Sequence, residues 1–302
     1  MAYFKVLQFK GVAPQVSPRL LADGLAQTAQ NVELDSGRLV PIEADSANVL
    51  SGITPSTLQS SNKRSVFLYI DAAADADKKW LQAVDNKYQD FMRGPIANDA
   101  YDRVYWTGDT YPQFGLGATM IAGGSGYPAA AYRLGLPAPA AALTVSKSGT
   151  ADATQIPNDV SYVYTYVDGV GAEGPPSPPS AIVSITDAET VALSDIVAAP
   201  ATPGGVGSYY LPTAAKKRIY RSNTGTENTQ FQFLAEITYA TTTYSDTTDA
   251  DELGEILPSS TWIGPPNDVS GTYPDGMMLG LVFVSNGIAA GFTGNTLCLS
   301  EP

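Results

Sequence analysis

The chain has 302 residues, 44% of them hydrophobic and only 16% charged, with a formal net charge of −13. That apolar content is enough to bury a core, so a disordered chain is excluded. There is no histidine and a single cysteine, which excludes Ser-His-Asp and Cys-His catalysis, histidine or thiolate metal sites, and any intrachain disulfide. The 28 glycines, 22 prolines and 17 tyrosines favour short strands joined by turns, an all-β chain.

Residues 1–22 read as an extended arm. Phe4, Val6, Leu7, Phe9 and Val12 make it apolar, and Pro14 and Pro18 hold Ala13 and Ser17 extended. Leu25, Ala26 and Ala29 fall on one face of a short helix with Asp23 placed to cap it. Val32 and Leu34 then alternate before Asp35-Ser36-Gly37, and residues 39–42 complete a tight β-hairpin. The order Pro-x-x-Ser-Pro-Arg-Leu-Leu, Ala-Gln-x-Ala-x-Asn-Val, Ser-Gly-Arg-Leu-x-Pro across residues 11–42 resembles the amino-terminal block of tailed-bacteriophage virion proteins. These are tail-tube and nozzle-like components, several of which carry a β-propeller.

Residues 23–138 follow as a β-rich, propeller-like domain. Strands are expected over residues 65–70 and 80–84, then, past the turn Asp85-Asn86-Lys87, over 89–92 and 103–106. Strands of four to six residues with a turn about every ten fit a propeller blade or a sandwich equally. The run Tyr101 to Gly108 also resembles an Arg-Val-Tyr strand of the phage proteins. Residues 116–145 are rich in Gly, Ala and Pro, with Arg133 their one ionised group, and read as loop and connector. The Gly-rich run at 123–126 reads as a loop rather than a phosphate cradle, because no strand-to-helix motif surrounds it. Pro137 and Pro139 make a stiff entry to the next domain.

Residues 139–265 form a second unit. Tyr162, Tyr164 and Tyr166 share one face of a strand, either as core or as a sugar-stacking surface. That strand, the glycine turn after it and the exit Gly174-Pro175-Pro176-Ser177-Pro178-Pro179-Ser180 resemble one edge of a fibronectin type III module, which implies an immunoglobulin/fibronectin-like β-sandwich over residues 139–265. In an ordinary module this turn sits near the end, so the order of elements here differs. Further strands are expected at 217–221, 231–237 and 242–245. Residues 266–302 hold two or three apolar strands around Ser285-Asn286-Gly287 and Thr293-Gly294-Asn295, returning to the first domain. Cys298, between Leu297 and Leu299, reads as a small buried apolar residue.

Charge is unevenly placed. Residues 1–140 hold 12 Lys/Arg and 13 Asp/Glu (net −1), while residues 141–302 hold 5 and 17 (net −12). Lys216, Lys217, Arg218 and Arg221 form the one dense basic run, read as a solvated strand edge in preference to a phosphate site. Two acidic groups, Asp246, Asp249, Asp251, Glu252 and Glu255, and Asp71, Asp75 and Asp77, offer oxygen ligands for Ca²⁺, but neither has the EF-hand spacing and both read first as solvated loops. No catalytic, cofactor-binding or metal residue is assigned, and no enzyme activity is expected. The start lacks a signal-peptide core, and no stretch approaches the about 18 apolar residues of a membrane span, so synthesis in the host cytoplasm is expected.

The resemblance implies a virion structural protein of the tail. It would be a ring-shaped homo-oligomer, with a hexamer as its expected state, that joins other tail or head–tail connector proteins. DNA would only pass through its channel during ejection. The alternative is a receptor- or carbohydrate-binding tail module, an adhesin.

Overall fold

The computed structural model describes residues 10–28, 32–33, 40–41, 63–70, 79–122, 126–197, 209–224, 229–266, 275–284 and 287–300. The chain is nearly all-β, built among these residues from antiparallel sheets with one short parallel pair. It divides into two compact units, residues 1–54 and 55–302.

In the first unit, Gly11–Val12 pairs in parallel with Leu25–Ala26. Lys10 N donates to Gly24 O at 2.7 Å and Ala13 N to Ala26 O at 2.8 Å, so the intervening residues form a closed loop. Two expectations change here. From Lys10 onward the arm is not extended throughout: Pro18–Leu20 make a single 3₁₀ turn with proline at its start, the position where a missing N–H is harmless. The short helix after Asp23 is replaced by a strand. A run of so few residues gains too few hydrogen bonds to offset helix nucleation, and Gly24 turns at a φ of +87° that leads straight into the pairing. Val32–Glu33 pairs antiparallel with Val40–Pro41. The expected turn Asp35-Ser36-Gly37, like Phe4, Val6, Leu7 and Phe9 of the arm, lies outside the described residues.

The second unit opens with the antiparallel pair Val66–Tyr69 and Lys79–Gln82. A four-stranded antiparallel meander follows: Asp90–Arg93, Val104–Thr107, Gln113–Gly115 and Tyr132–Arg133, each paired with the next in chain order. Tyr69, Leu81, Val104, Trp106 and Met120 form its core. Trp106 buries its ring while its Nε1–H donates to Gln113 Oε1 at 3.0 Å, so the indole leaves no orphan donor inside. Gly108 is required at its turn: its φ is +95°, and a Cβ there would strike the Tyr88 carbonyl oxygen. Within the stretch read as loop, Gly117–Met120 is one turn of α-helix and buries Met120 in this core. A second meander, Leu279–Phe283, Ala289–Thr293 and Thr296–Leu299, lies beside the first. Gly280 N donates to Asp90 Oδ2 at 2.9 Å, and the Tyr105 and Phe283 rings meet edge-on at 5.4 Å.

Between the two meanders in sequence stand two three-stranded sheets. One holds Thr144–Gly149, Glu189–Ser194 and Tyr244–Asp246; the other holds Tyr162–Val167, Lys216–Thr224 and Thr229–Thr238. Both contribute to one apolar core, Val191 and Leu193 from the first, Tyr162, Tyr164, Tyr166, Ile219 and Ile237 from the second. The strand that carries the three tyrosines is Tyr162–Val167, set off at Ser161 from the short strand Asn158–Val160. Period-two alternation sends its three tyrosines to this core and Val163 to a smaller cluster with Tyr220 and Leu257 on the opposite face.

The free edge of Tyr162–Val167 is covered by the proline segment. Gly174 N donates to Tyr166 O, Ser177 N to Tyr164 O and Ser180 N to Tyr162 O, each at 2.9 Å. In return Tyr164 N donates to Ser177 Oγ at 3.1 Å and Tyr162 N to Ser180 Oγ at 2.9 Å. Each step takes three residues of the covering segment against two of the strand, so the intervening prolines bow away. Lacking N–H groups, those prolines present no donors to a further strand.

Candidate functional site

The entry and exit of this two-sheet region run side by side. Gly135 turns at a φ of +78°, and a Cβ on it would lie 2.6 Å from Pro265 Cδ, so only glycine lets residues 134–138 and 262–265 touch. A cavity of about 280 Å³ opens between them. Two pairs of adjacent residues shape it by pointing opposite ways. Tyr132 and Tyr210 turn into an aromatic cluster, with ring centroids 4.8 Å apart. Arg133 and Tyr209 turn the other way: the Arg133 guanidinium lies 4.3 Å from the centroid of Tyr111 and 5.1 Å from that of Tyr209, and all three line the cavity with half-buried Trp262. No acidic residue lines it among the described residues.

The other described charges singled out in the sequence have a different fate. The basic run does not sit on a solvated edge: Lys216–Thr224 is the central strand of its sheet. Lys217 is fully buried and donates from Nζ to the carbonyls of Ile196 and Thr241, both at 2.8 Å. Burial pulls its pKa down to about 8. Arg218 bridges Glu173 at 2.8 Å and Glu236 at 3.1 Å. Arg221 is buried against Asp246 at 2.8 Å and also donates to Thr248 O. With these partners the run has little cation left to offer a phosphate.

The acidic group at 246–255 is split. Asp246 is turned inward, accepting from Arg221 and from the Tyr162 hydroxyl at 2.8 Å, and burial beside this carboxylate drives the Tyr162 pKa upward. Asp249, Asp251, Glu252 and Glu255 are exposed, and no group of three or more metal-ligating side chains occurs among the described residues. Asp71, Asp75 and Asp77, and Gly123 to Ser125, lie outside the described residues. Cys298 is half-exposed rather than buried, on the outermost strand of its sheet.

One strongly perturbed ionisable group carries little warning in the sequence. Asp168, at the glycine turn after Tyr162–Val167, is 7% exposed, and burial lifts its pKa to about 6 although Val170 N and Ala172 N donate to its Oδ1. The Asp-Gly pair marks the turn, but nothing local tells that Tyr101 reaches across to Gly169 O at 3.1 Å and helps close the site. Arg133 too stands out in the sequence only as the lone charge of a connector. Its signal is that isolation: an arginine amid glycine, alanine and proline has no nearby acid in sequence to pair with.

No protein-family model matches the chain, and no curated protein matches it.

Proposed function

We propose that this chain is a structural subunit of a phage tail, nozzle- or tube-like, closing into a ring around the path of ejected DNA. The observation that carries the reading is the ordered block at residues 11–42, which resembles the start of such proteins over about thirty residues. The fold supports it. A four-stranded meander in chain order suits a propeller blade, and two three-stranded sheets around one core suit a fibronectin-like sandwich inserted between blade-forming strands. In that sandwich the Gly-Ala-Glu-Gly-Pro-Pro-Ser turn at 171–177 follows the first strand of its sheet instead of closing the module.

The mechanism is assembly and passive passage. A net charge of −13 repels phosphates, and a basic run in which Lys217, Arg218 and Arg221 are held by the chain's own carboxylates and carbonyls offers few cations for counterion release. DNA then slides without sticking. Electron microscopy and light scattering of the purified protein test the reading: ring particles with a mass several times 31.7 kDa are expected. A 31.7 kDa monomer at every concentration, with no labelling on the tail axis of virions, overturns it. The second reading, a receptor- or carbohydrate-binding tail module, draws on a different observation, the acid-free aromatic cavity around Arg133.

A further inference from the structure

We infer that the cavity at the module junction is a binding site for an acidic sugar, a hexuronate-like unit, held by Arg133 and stacked on Tyr111, Tyr209 or Trp262. The argument begins with what Arg133 lacks. Arg93, Arg103, Arg218 and Arg221 are each paired with a carboxylate. The Arg133 guanidinium has no hydrogen bond or ion pair to any described residue. It is instead positioned by two tyrosine rings. Stacking occupies the faces of a guanidinium and leaves its in-plane N–H fork for a carboxylate, which it binds in bidentate fashion. In a chain with 30 acidic and 17 basic residues, an acid-free lining around one arginine makes a local positive site in a negative surface.

The rest of the lining selects a sugar among carboxylates. The Tyr111 and Tyr209 hydroxyls and the Trp262 indole N–H make no hydrogen bond to any described residue, although all three rings border the cavity. Aromatic side chains with an apolar face and an uncommitted polar tip match a pyranose, which has an apolar ring face and hydroxyl edges. At about 280 Å³ the cavity falls just below the range for ligand clefts, about 300–1,000 Å³, which suits one ring. Pro137, Pro175 and Pro265 stiffen the walls and so limit the ordering cost of binding. The inference does not rest on the ring assembly, and microscopy decides that question separately.

Titration of the full chain with sodium glucuronate, glucose and sodium acetate, followed by calorimetry and by tryptophan fluorescence, tests the proposal. Glucuronate is expected to bind at least tenfold more tightly than either glucose or acetate. Arg133→Gln should abolish this preference, and Arg133→Lys, which keeps the charge without the fork, should weaken glucuronate binding several-fold. Both variants should melt with the wild type, because Arg133 has no buried ionic partner. Trp262→Phe should retain binding and remove the fluorescence response. Equal affinity for acetate and glucuronate, or glucuronate binding unchanged in both Arg133 variants, would overturn the assignment.

Discussion

The meander region and the two-sheet module solve the same problem, a small all-β core, by different chemistry. The meander at 90–133 relies on aromatic packing: Phe91 lies 5.9 Å from Phe67 of the neighbouring pair and 5.6 Å from Trp106, and its ion pairs keep contact with solvent, Arg93 with Asp102 at 44% and 22% side-chain exposure and Arg103 with Asp99 at 14% and 9%. The module places charge inside. The side chains of Arg221 and Asp246 are 4% and 1% exposed, Lys217 is fully enclosed, and Glu173 accepts from Thr165, Tyr220 and Arg218 at once. A buried charge network is worth little compared with an apolar one but is costly to break, so the module gains specificity of pairing at the risk of fragility.

The largest expected effect tests that contrast directly. Asp246→Ala leaves the Arg221 guanidinium buried with only the Thr248 carbonyl as partner, and should cost about 3–5 kcal/mol by urea denaturation. Replacing both, Arg221→Met with Asp246→Leu, should cost clearly less than the sum of the single changes. Arg93→Ala, the matching change in the meander, should cost about 1 kcal/mol or less because that pair is solvated. Equal losses for Asp246→Ala and Arg93→Ala would erase the distinction between the two regions.

A smaller effect of opposite sign belongs to Asp168. Its folded pKa of about 6 lies above its ordinary 3.8, so between about pH 4 and 6 the folded state binds more protons than the unfolded one. Its contribution to stability is therefore full at acid pH and declines as pH rises through that window. Asp168→Asn keeps an oxygen for the Val170 and Ala172 amides and removes the buried charge. The variant should match the wild type near pH 4 and exceed it by about 1–3 kcal/mol at pH 7, since a tenfold change in acid dissociation constant between the folded and unfolded states corresponds to about 1.4 kcal/mol. Melting curves at several pH values read the difference. A variant less stable at pH 7 than at pH 4, relative to wild type, would show that the charge is favourable where it sits.

Alternation and turn chemistry make much of the fold legible. The spacing of Tyr162, Tyr164 and Tyr166 puts them on one face, and they share one core; Thr293-Gly294-Asn295 reads as a turn and joins Ala289–Thr293 to Thr296–Leu299. The errors have one cause. Lys217 and Arg221 look like edge residues because their types are usually solvated. Their partners, Ile196, Thr241 and Asp246, stand 20 or more residues away in sequence, and no local pattern announces them. Leu25 and Ala26 likewise suggest a helix until Gly11 and Val12 offer a strand. Of the candidate cavity the sequence shows only fragments, because Tyr111, Arg133, Tyr209 and Trp262 converge from four separate stretches of the chain.

The covered edge gives the finest test of the comparison. Ser177 and Ser180 are 4% and 7% exposed, and each hydroxyl accepts from a tyrosine amide of Tyr162–Val167. Alanine at either position leaves that amide without its acceptor and should cost about 1 kcal/mol, the low end for an unmet buried donor. Ser177→Thr, which keeps the hydroxyl, should cost less. In the carboxy-terminal meander the outermost strand has no such cover among the described residues, and Leu297→Ser, at a side chain 67% exposed, should stay within about 0.5 kcal/mol. Amide hydrogen exchange separates the two mechanisms residue by residue. In Ser180→Ala the Tyr162 amide should exchange faster while the Tyr164 amide, still held by Ser177, keeps its protection. If both amides speed up together, the proline segment detaches as a unit and the serines act as its latch; if neither changes, the bowed backbone alone seals the edge.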